Sequence, residues 1–128
     1  MPKKILIVED EANIRELLRL YLEREGYTVL EAENGVEGIK KWKSDKPDML
    51  LLDVMMPVMD GYQVLNTIRN MEKQRGIEGD DRVKIIMMTA LNEQKNVRKA
   101  FEMGCTVYCA KPVDLDKLKN VLKKLKLI

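Results

Sequence analysis

The 128-residue chain contains no histidine, and this absence excludes several kinds of chemistry. Catalytic triads and dyads that need an imidazole base cannot form, and no metal can be held by histidine nitrogens. The chain also lacks a side chain whose unperturbed pKa lies near neutral pH. Any chemistry must therefore depend on carboxylates, hydroxyls, lysines and a hard cation of the kind that oxygen ligands bind.

Cysteines are few, and long apolar runs are absent. Cys105 and Cys109 are separated by three residues, which matches neither a redox Cys-x-x-Cys motif nor a zinc site, so we expect buried free thiols. No apolar run approaches the ~20 residues that a membrane span needs. The apolar run of residues 5–8 is too short for a signal-peptide core. These absences favour a cytoplasmic protein that makes no membrane contact.

The balance of charge is close to neutral. Lys and Arg number 23 against 21 Asp and Glu, a net charge of +2, which does not by itself indicate nucleic-acid binding. The positive surplus lies near the end of the chain, in Lys117, Lys119, Lys123, Lys124 and Lys126. We interpret these lysines as the solvated face of a final helix, whose dipole favours cations there, and expect no direct contact with nucleic acid.

Short apolar runs alternate with segments of helical periodicity along the whole chain. The runs predicted as strands are Lys4–Val8, Tyr27–Ala32, Met49–Asp53, Val83–Met88 and Thr106–Ala110. The apolar positions predicted for the intervening and final helices are Ile14, Leu17, Leu18, Tyr21 and Leu22, then Val36, Ile39 and Trp42, then Val64, Leu65 and Ile68, then Val97, Ala100 and Phe101, and finally Leu115, Leu118, Leu122 and Leu125. This alternation predicts an α/β fold with one doubly wound sheet of five parallel strands and five helices.

Two connecting segments have turn or capping signals. Asp60 and Gly61 precede the third helix, and we interpret them as a turn and helix cap rather than as part of a metal site. The segment 75–82 is polar and contains two glycines, so it is predicted to be a protruding loop.

Polar residues follow the predicted strands at their carboxyl ends. Glu9 and Asp10 follow the first strand, Asp53 ends the third, and Thr89 and Lys111 follow the fourth and fifth. Because the carboxyl ends of parallel strands share one edge of the sheet, we expect these five side chains to converge there. Polar residues at strand ends often only begin loops or cap helices, but five at the correct ends favour a functional site.

The predicted cluster has a charge balance that suits a cation and a phosphoryl group. Three carboxylates crowded together repel one another and raise each other's pKa. A Mg²⁺ ion relieves that repulsion and still leaves coordination positions for phosphate oxygens. Its charge of +2 and that of Lys111 would offset the −3 of Glu9, Asp10 and Asp53. Phosphoryl transfer to a carboxylate needs little beyond positioning and charge neutralisation.

These motifs together resemble the receiver domains of two-component response regulators. The resemblance is carried by ILIVEDE at residues 5–11, LLLDVMMPVMDG at residues 50–61, Met-Thr-Ala at residues 88–90 and Ala-Lys-Pro at residues 110–112. It covers nearly the whole chain, which is also similar to the single-domain chemotaxis regulator. The resemblance implies a flavodoxin-like sheet of strand order 2-1-3-4-5, and a single receiver domain over residues 1–128 without an output domain.

The resemblance also implies a role for each residue of the cluster. Asp53 would accept a phosphoryl group, and Thr89 and Lys111 would each contact a phosphoryl oxygen. Asp10 would bind Mg²⁺, with Mn²⁺ as an alternative ion, and Glu9 would reach the metal mainly through water. Asp53 and the backbone carbonyl of Met55 would complete the protein ligands. The chain would then be no enzyme beyond phosphorylating and dephosphorylating itself.

A conformational switch and two kinds of partner follow from the same resemblance. Phosphorylation would pull Thr89 toward the site and let Tyr108 turn inward, changing the face formed by helix 4, strand 5 and helix 5. Pro112 would be a cis-proline that directs Lys111 inward. A sensor histidine kinase or histidine phosphotransfer protein would dock near helix 1, around Ile14, Arg15 and Leu18. A downstream protein or a second copy of the chain would bind the switching face.

Two other functions remain open on the sequence alone. After a stand-alone receiver, which is the leading hypothesis, the second is the receiver part of a larger DNA-binding regulator. A phosphatase with Asp53 as nucleophile, similar to haloacid dehalogenases, is disfavoured because such enzymes carry a second aspartate where this chain has Met55. A flavin carrier on the same fold is weaker still, because no Ser/Thr/Gly-rich phosphate loop follows the first strand.

Overall fold

The computed structural model describes residues 3–90, 97–111 and 114–125. Its strands are β1 (Lys4–Val8), β2 (Thr28–Ala32), β3 (Met49–Asp53), β4 (Lys84–Ala90) and β5 (Val107–Lys111). Its α-helices are α1 (Ala12–Arg24), α2 (Gly35–Asp45), α3 (Gly61–Gln74), α4 (Val97–Glu102) and α5 (Leu115–Lys124), and a short 3₁₀ helix spans Gly79–Asp81. All neighbouring strands are parallel, and their order is β2-β1-β3-β4-β5. The predicted fold class and strand order are confirmed.

The neighbouring strands β1 and β3 are buried on both faces, as their continuous apolar sequences predict. In β1, Leu6 and Val8 face the core that packs under α2, α3 and α4, whereas Ile5 and Ile7 face the core under α1 and α5. The four apolar residues of β3 alternate between the same two cores, and all five residues of the strand are buried. The sheet is therefore a central layer between two cores, and it carries Asp53 at the end of the fully buried strand β3.

Local capping signals set where the helices begin and end. The Asn34 side chain accepts a hydrogen bond from the Glu37 backbone N–H at 2.8 Å and caps α2. Asp60 and Gln63 form a reciprocal capping box at the start of α3. This arrangement confirms the interpretation of Asp60 as a helix cap. Gly26, at a φ of +96°, allows the left-handed turn that follows α1.

Three apolar residues predicted to face the core are instead exposed. Leu17, Val36 and Phe101 have relative exposures of 55%, 49% and 48%. In α1 the contact with the sheet is made by Leu18 and Leu22, which are 1% exposed or less. A helix lying flat on a sheet buries a stripe narrower than its apolar face, so residues at the edge of that face remain in solvent. Leu18 therefore cannot belong to a docking surface, contrary to the sequence-based prediction.

The last two strands run further toward their carboxyl ends than predicted. Thr89 and Ala90 are paired with Ala110 and Lys111 in the β4–β5 ladder, so Thr89 and Lys111 are strand residues rather than loop residues. Ladder length depends on the hydrogen-bonding partner, which is remote in sequence. The predicted cis bond at Pro112 lies outside the described residues.

The prediction for the segment 75–82 is confirmed, and the prediction of buried thiols is confirmed for Cys105 but not for Cys109. Cys105 is buried and Cys109 is half-buried, and both are free thiols. The segment 75–82 is largely exposed and contains the 3₁₀ turn. Among the described residues, no helix combines the length and apolar character needed to cross a bilayer.

Candidate functional site

The carboxyl edge of the sheet brings together the charged residues that the sequence placed at the strand ends. Oxygen atoms of Glu9, Asp10 and Asp53 all lie within 4.8 Å of one another. The ammonium nitrogen Nζ of Lys111 lies 2.9 Å from Oδ1 of Asp53 and 3.0 Å from Oε2 of Glu9. Three carboxylates and one ammonium group therefore share a single site that spans β1, β3 and β5.

Burial divides the three carboxylates into two kinds. Glu9 and Asp53 are 0% and 2% exposed, whereas Asp10 is exposed at the rim. A buried charge is costly unless it is paired. Lys111 is the ammonium partner of both buried carboxylates, so the described site keeps an excess of negative charge.

The crowding and burial shift the pKa values of the site. Burial raises the pKa of Glu9 from 4.5 to about 7, and the nearby charge of Asp53 adds to this effect, although Lys111 opposes it. Burial also raises the pKa of Asp53, against the opposing influence of Lys111. Burial alone would lower the pKa of Lys111, but the hydrogen bonds and charges of Asp53 and Glu9 raise it. Lys111 thus stays protonated, and it lies between two carboxyl groups, Glu9 and Asp53, whose pKa values are both raised.

The loop after β3 holds the Asp53 carboxylate from the backbone side. The Met55 backbone N–H donates to Oδ1 of Asp53 at 3.3 Å, while the Met55 side chain is 60% exposed. Gly61 allows this loop to fold closely over the strand end, because a Cβ there would lie 2.4 Å from the Asp53 carbonyl oxygen. The Gly61 N–H donates to the Val54 carbonyl at 2.9 Å. Gly61 therefore lets the backbone of the loop pass close to the backbone of Asp53, which a residue with a side chain could not do.

Thr89 places a buried hydroxyl near the same edge. The residue is 1% exposed, and its Oγ1 has no hydrogen-bond partner among the described residues. A buried hydroxyl without a partner costs about 1–3 kcal/mol, so native proteins rarely tolerate it without reason. A ligand oxygen arriving at the carboxyl edge would supply the missing partner.

Two side-chain contacts near the site have no counterpart in the predictions from sequence, which place Arg15 only on a docking surface. Nη1 of Arg15 donates to the Glu9 carbonyl at 2.8 Å, and its Nε lies 3.4 Å from Glu31, so Arg15 is occupied in supporting β1 and β2. The Tyr62 hydroxyl lies 2.9 Å from that of Tyr108. Neither contact has a local signal, because the partners are on different elements.

With this geometry in place, the comparisons with known proteins identify the class of protein. A family model described as the response regulator receiver domain matches residues 5–123. The chain belongs to this family.

Two curated proteins of Bacillus subtilis illustrate the range of its relatives. It is 34% identical to sporulation initiation phosphotransferase F over 97% of this chain and 94% of that protein. It is 49% identical to the transcriptional regulatory protein ResD over 85% of this chain, but this match spans only 42% of ResD. The chain thus corresponds to nearly all of one relative and to less than half of the other.

Solved structures show the same fold. The chemotaxis protein CheY4 of Vibrio cholerae superimposes with a TM-score of 0.84 at 26% identity, covering 98% of this chain and 99% of that one. The receiver domain of Ssk1 from Saccharomyces cerevisiae, crystallised with the histidine phosphotransfer protein Ypd1, is 31% identical with a TM-score of 0.88. That match covers 97% of this chain and 88% of the other. Both matches cover nearly the whole of this chain and show the same fold.

Proposed function

We propose that this receiver domain accepts a phosphoryl group on Asp53 from a phosphohistidine of a sensor kinase or phosphotransfer protein. The observation that carries the proposal is the pairing of Lys111 with Asp53 at 2.9 Å, inside a group of three carboxylates. A carboxylate held by an ammonium group at the carboxyl edge of a parallel sheet is positioned to attack phosphorus. The proposed chemistry modifies the chain itself and not a separate substrate.

In the transfer step, a carboxylate oxygen of Asp53 forms a bond to phosphorus as the bond from phosphorus to the donor imidazole nitrogen breaks. The electron pair of that bond leaves with the imidazole. Lys111 stabilises the negative charge on the phosphoryl oxygens, and the Thr89 hydroxyl donates a hydrogen bond to another of them. Positioning and charge stabilisation of this kind supply most of the catalysis in phosphoryl transfer.

The donor set suits a bound Mg²⁺, or Mn²⁺ as an alternative. Glu9, Asp10 and Asp53 bring three hard oxygen ligands within 4.8 Å, and within the described part of the chain one ammonium group balances them. We infer that Asp10 and Asp53 hold the ion directly, Glu9 mainly through water, and Met55 through its backbone carbonyl. When bound, the ion supplies positive charge for the phosphoryl oxygens.

The proposed conformational switch couples a movement of Thr89 to a movement of the Tyr108 side chain. Met87 is paired with Tyr108 in the β4–β5 ladder, and Thr89 lies two residues further along β4 on the same face of the sheet. Movement of Thr89 toward a phosphoryl oxygen would change the space beside the Tyr108 ring. That movement would alter the face of α4, β5 and α5, where a downstream protein or a second copy would bind.

The phosphoryl donor is proposed to dock on α1 beside the carboxyl edge. Leu17 and Leu20 are 55% and 53% exposed on this helix and form an apolar contact surface, whereas Leu18 is buried. Crystallisation of Ypd1 with a related receiver domain supports a histidine phosphotransfer protein as one class of partner. Because the relatives include longer transcriptional regulators, the proposal concerns the receiver function alone.

The test is the intact mass of the protein after incubation with acetyl phosphate and Mg²⁺. We expect one phosphoryl increment, which is lost in Asp53→Asn and after metal chelation. Asp60→Asn is the matched control, because Asp60 caps α3 in the adjacent loop and asparagine caps helices equally well. A phosphoryl increment that persists in Asp53→Asn, or none in folded wild-type protein that binds Mg²⁺, would contradict the proposal.

A further inference from the structure

Tyr108 is tied to α3 by a hydrogen bond between two tyrosine hydroxyls. It lies on the edge strand β5, and its hydroxyl is 2.9 Å from that of Tyr62 in the first turn of α3. The two residues are 46 positions apart in sequence, and both are half-buried. Both rings pack against the core that also contains residues of α2, α3 and α4. This is a specific tertiary contact, not a feature of one element.

The contact fixes the direction of the Tyr108 ring. Because β5 is an edge strand and α3 belongs to the core under α2, α3 and α4, a hydroxyl that reaches Tyr62 points inward over the sheet. Thr89 lies on that same face of the neighbouring strand, diagonal to Tyr108. The inward ring therefore occupies the face of the sheet on which the proposed switch residue moves.

We propose that Tyr62 is a positioning residue that holds Tyr108 in its inward orientation. The inference rests on the proposed function, in which inward Tyr108 accompanies the movement of Thr89 toward the phosphoryl group. The Tyr62 hydroxyl gives Tyr108 a hydrogen-bond partner in this orientation. It thereby favours the phosphorylated state before any phosphoryl group is present.

The size of the expected effect follows from linkage. A contact made in only one of two states shifts the equilibrium between them, and it shifts the affinity of any ligand that prefers that state by the same factor. A single hydrogen bond between neutral groups corresponds to a change of about two- to tenfold. Removing the Tyr62 hydroxyl should therefore weaken binding of a phosphoryl analogue by this factor.

The experiment titrates the full chain with beryllofluoride in the presence of Mg²⁺ and follows backbone amide resonances. We expect Tyr62→Phe and Tyr108→Phe each to raise the dissociation constant about two- to tenfold. The double variant should be no weaker than either single variant, because both changes remove the same bond. Tyr27→Phe is the matched control: its hydroxyl is buried in the other core and has no hydrogen-bond partner among the described residues, so the affinity should not change.

Unfolding by urea without ligand separates positioning from simple support of the fold. A structural role lowers the free energy of unfolding but leaves the affinity for beryllofluoride unchanged, and that result would overturn the inference. Tighter binding by Tyr62→Phe, or fully additive effects in the double variant, would also overturn it. If folded wild-type protein binds no beryllofluoride, the proposed function and this inference both fail. If the wild type binds and the variants match it, only the role of Tyr62 fails.

Discussion

Both ends of the sheet contain buried charged side chains, but the two ends differ in how completely those charges are paired. At the carboxyl edge, the ammonium group that Glu9 and Asp53 share among residues 3–90, 97–111 and 114–125 is that of Lys111. At the opposite end, Glu72 and Arg69 form a closed pair with Nη1 and Oε1 2.6 Å apart. The second pair balances charge one to one, whereas the first site keeps an excess of negative charge.

The closed pair also satisfies its remaining polar atoms. Oε2 of Glu72 accepts a hydrogen bond from the Val83 N–H at 2.8 Å, just before β4. Nε of Arg69 donates to the Gly104 carbonyl at 2.9 Å, just before β5. The pair thus joins α3 to the starts of two strands. The comparison shows that the fully paired charges of Arg69 and Glu72 stabilise the fold. The carboxylates at the carboxyl edge, which exceed their ammonium partner in number, lie at the proposed ligand site.

The largest expected effect comes from breaking the closed pair. Glu72→Gln keeps the size of the side chain but leaves the Arg69 guanidinium, whose side chain is 10% exposed, without a countercharge. We expect the free energy of unfolding to fall by about 3–5 kcal/mol, measured by urea denaturation. Phosphorylation of the remaining folded protein should persist, because the site lies at the other end of the strands.

A second variant keeps this prediction informative. The double variant Arg69→Met with Glu72→Met removes both charges and should recover part of the stability, because a buried pair can often be replaced by apolar side chains. The recovery is incomplete because the Val83 N–H and the Gly104 carbonyl lose their side-chain partners. Glu102→Gln, in an exposed pair with Arg98, should leave stability unchanged. A loss below about 1 kcal/mol in Glu72→Gln would show that the comparison between the two ends is wrong.

A smaller effect is expected from titration of the carboxyl edge in metal-free protein. Glu9 has a folded-state pKa of about 7 against 4.5 in the unfolded chain. As pH rises, the unfolded chain releases this proton first, so the associated stability is complete below pH 4.5 and is lost as pH passes 7. The raised pKa of Asp53 acts in the same direction.

Urea denaturation in a metal chelator at about pH 5 and about pH 8 measures this loss. We expect Glu9 to account for a decrease on the order of 2 kcal/mol, and Glu9→Gln to remove that part of the pH dependence. If the free energy of unfolding depends on pH identically in the wild type and in Glu9→Gln, Glu9 is not the carboxyl group whose raised pKa causes the loss.

The smallest expected effect concerns an exposed cation near the closed pair. The Arg75 guanidinium lies 5.6 Å from the ring centre of Trp42, the single tryptophan of the chain. Arg75→Gln should lower the free energy of unfolding by only about 0.5–1 kcal/mol and change the fluorescence of Trp42. Arg82→Gln, in the following loop, should leave that fluorescence unchanged. A loss as large as that of Glu72→Gln would mean that stability at this end does not reside in the buried pair.

Much of the fold could be predicted because its signals are local. The apolar runs of β1 and β3 and the cap at Asp60 depend on neighbours in sequence, and the structure agrees with each. The convergence of Asp53 and Lys111 could be expected because parallel strands place their carboxyl ends together. The exposure of Leu17 could not, because helical periodicity does not reveal how wide a stripe the sheet will cover.

The sequence by itself determined the alternation of strands and helices, the residues at the strand ends and the family. Only the tertiary structure decided which charged side chains have a full set of oppositely charged partners and which do not. The pairing of Arg69 with Glu72 and its ties to Val83 and Gly104, like the bond between Tyr62 and Tyr108, join separate elements. The raised pKa of Glu9 likewise depends on burial and on the nearby charge of Asp53. Hydrogen bonds and Coulomb interactions act over a few ångströms of space, and only the folded chain brings these groups within that range.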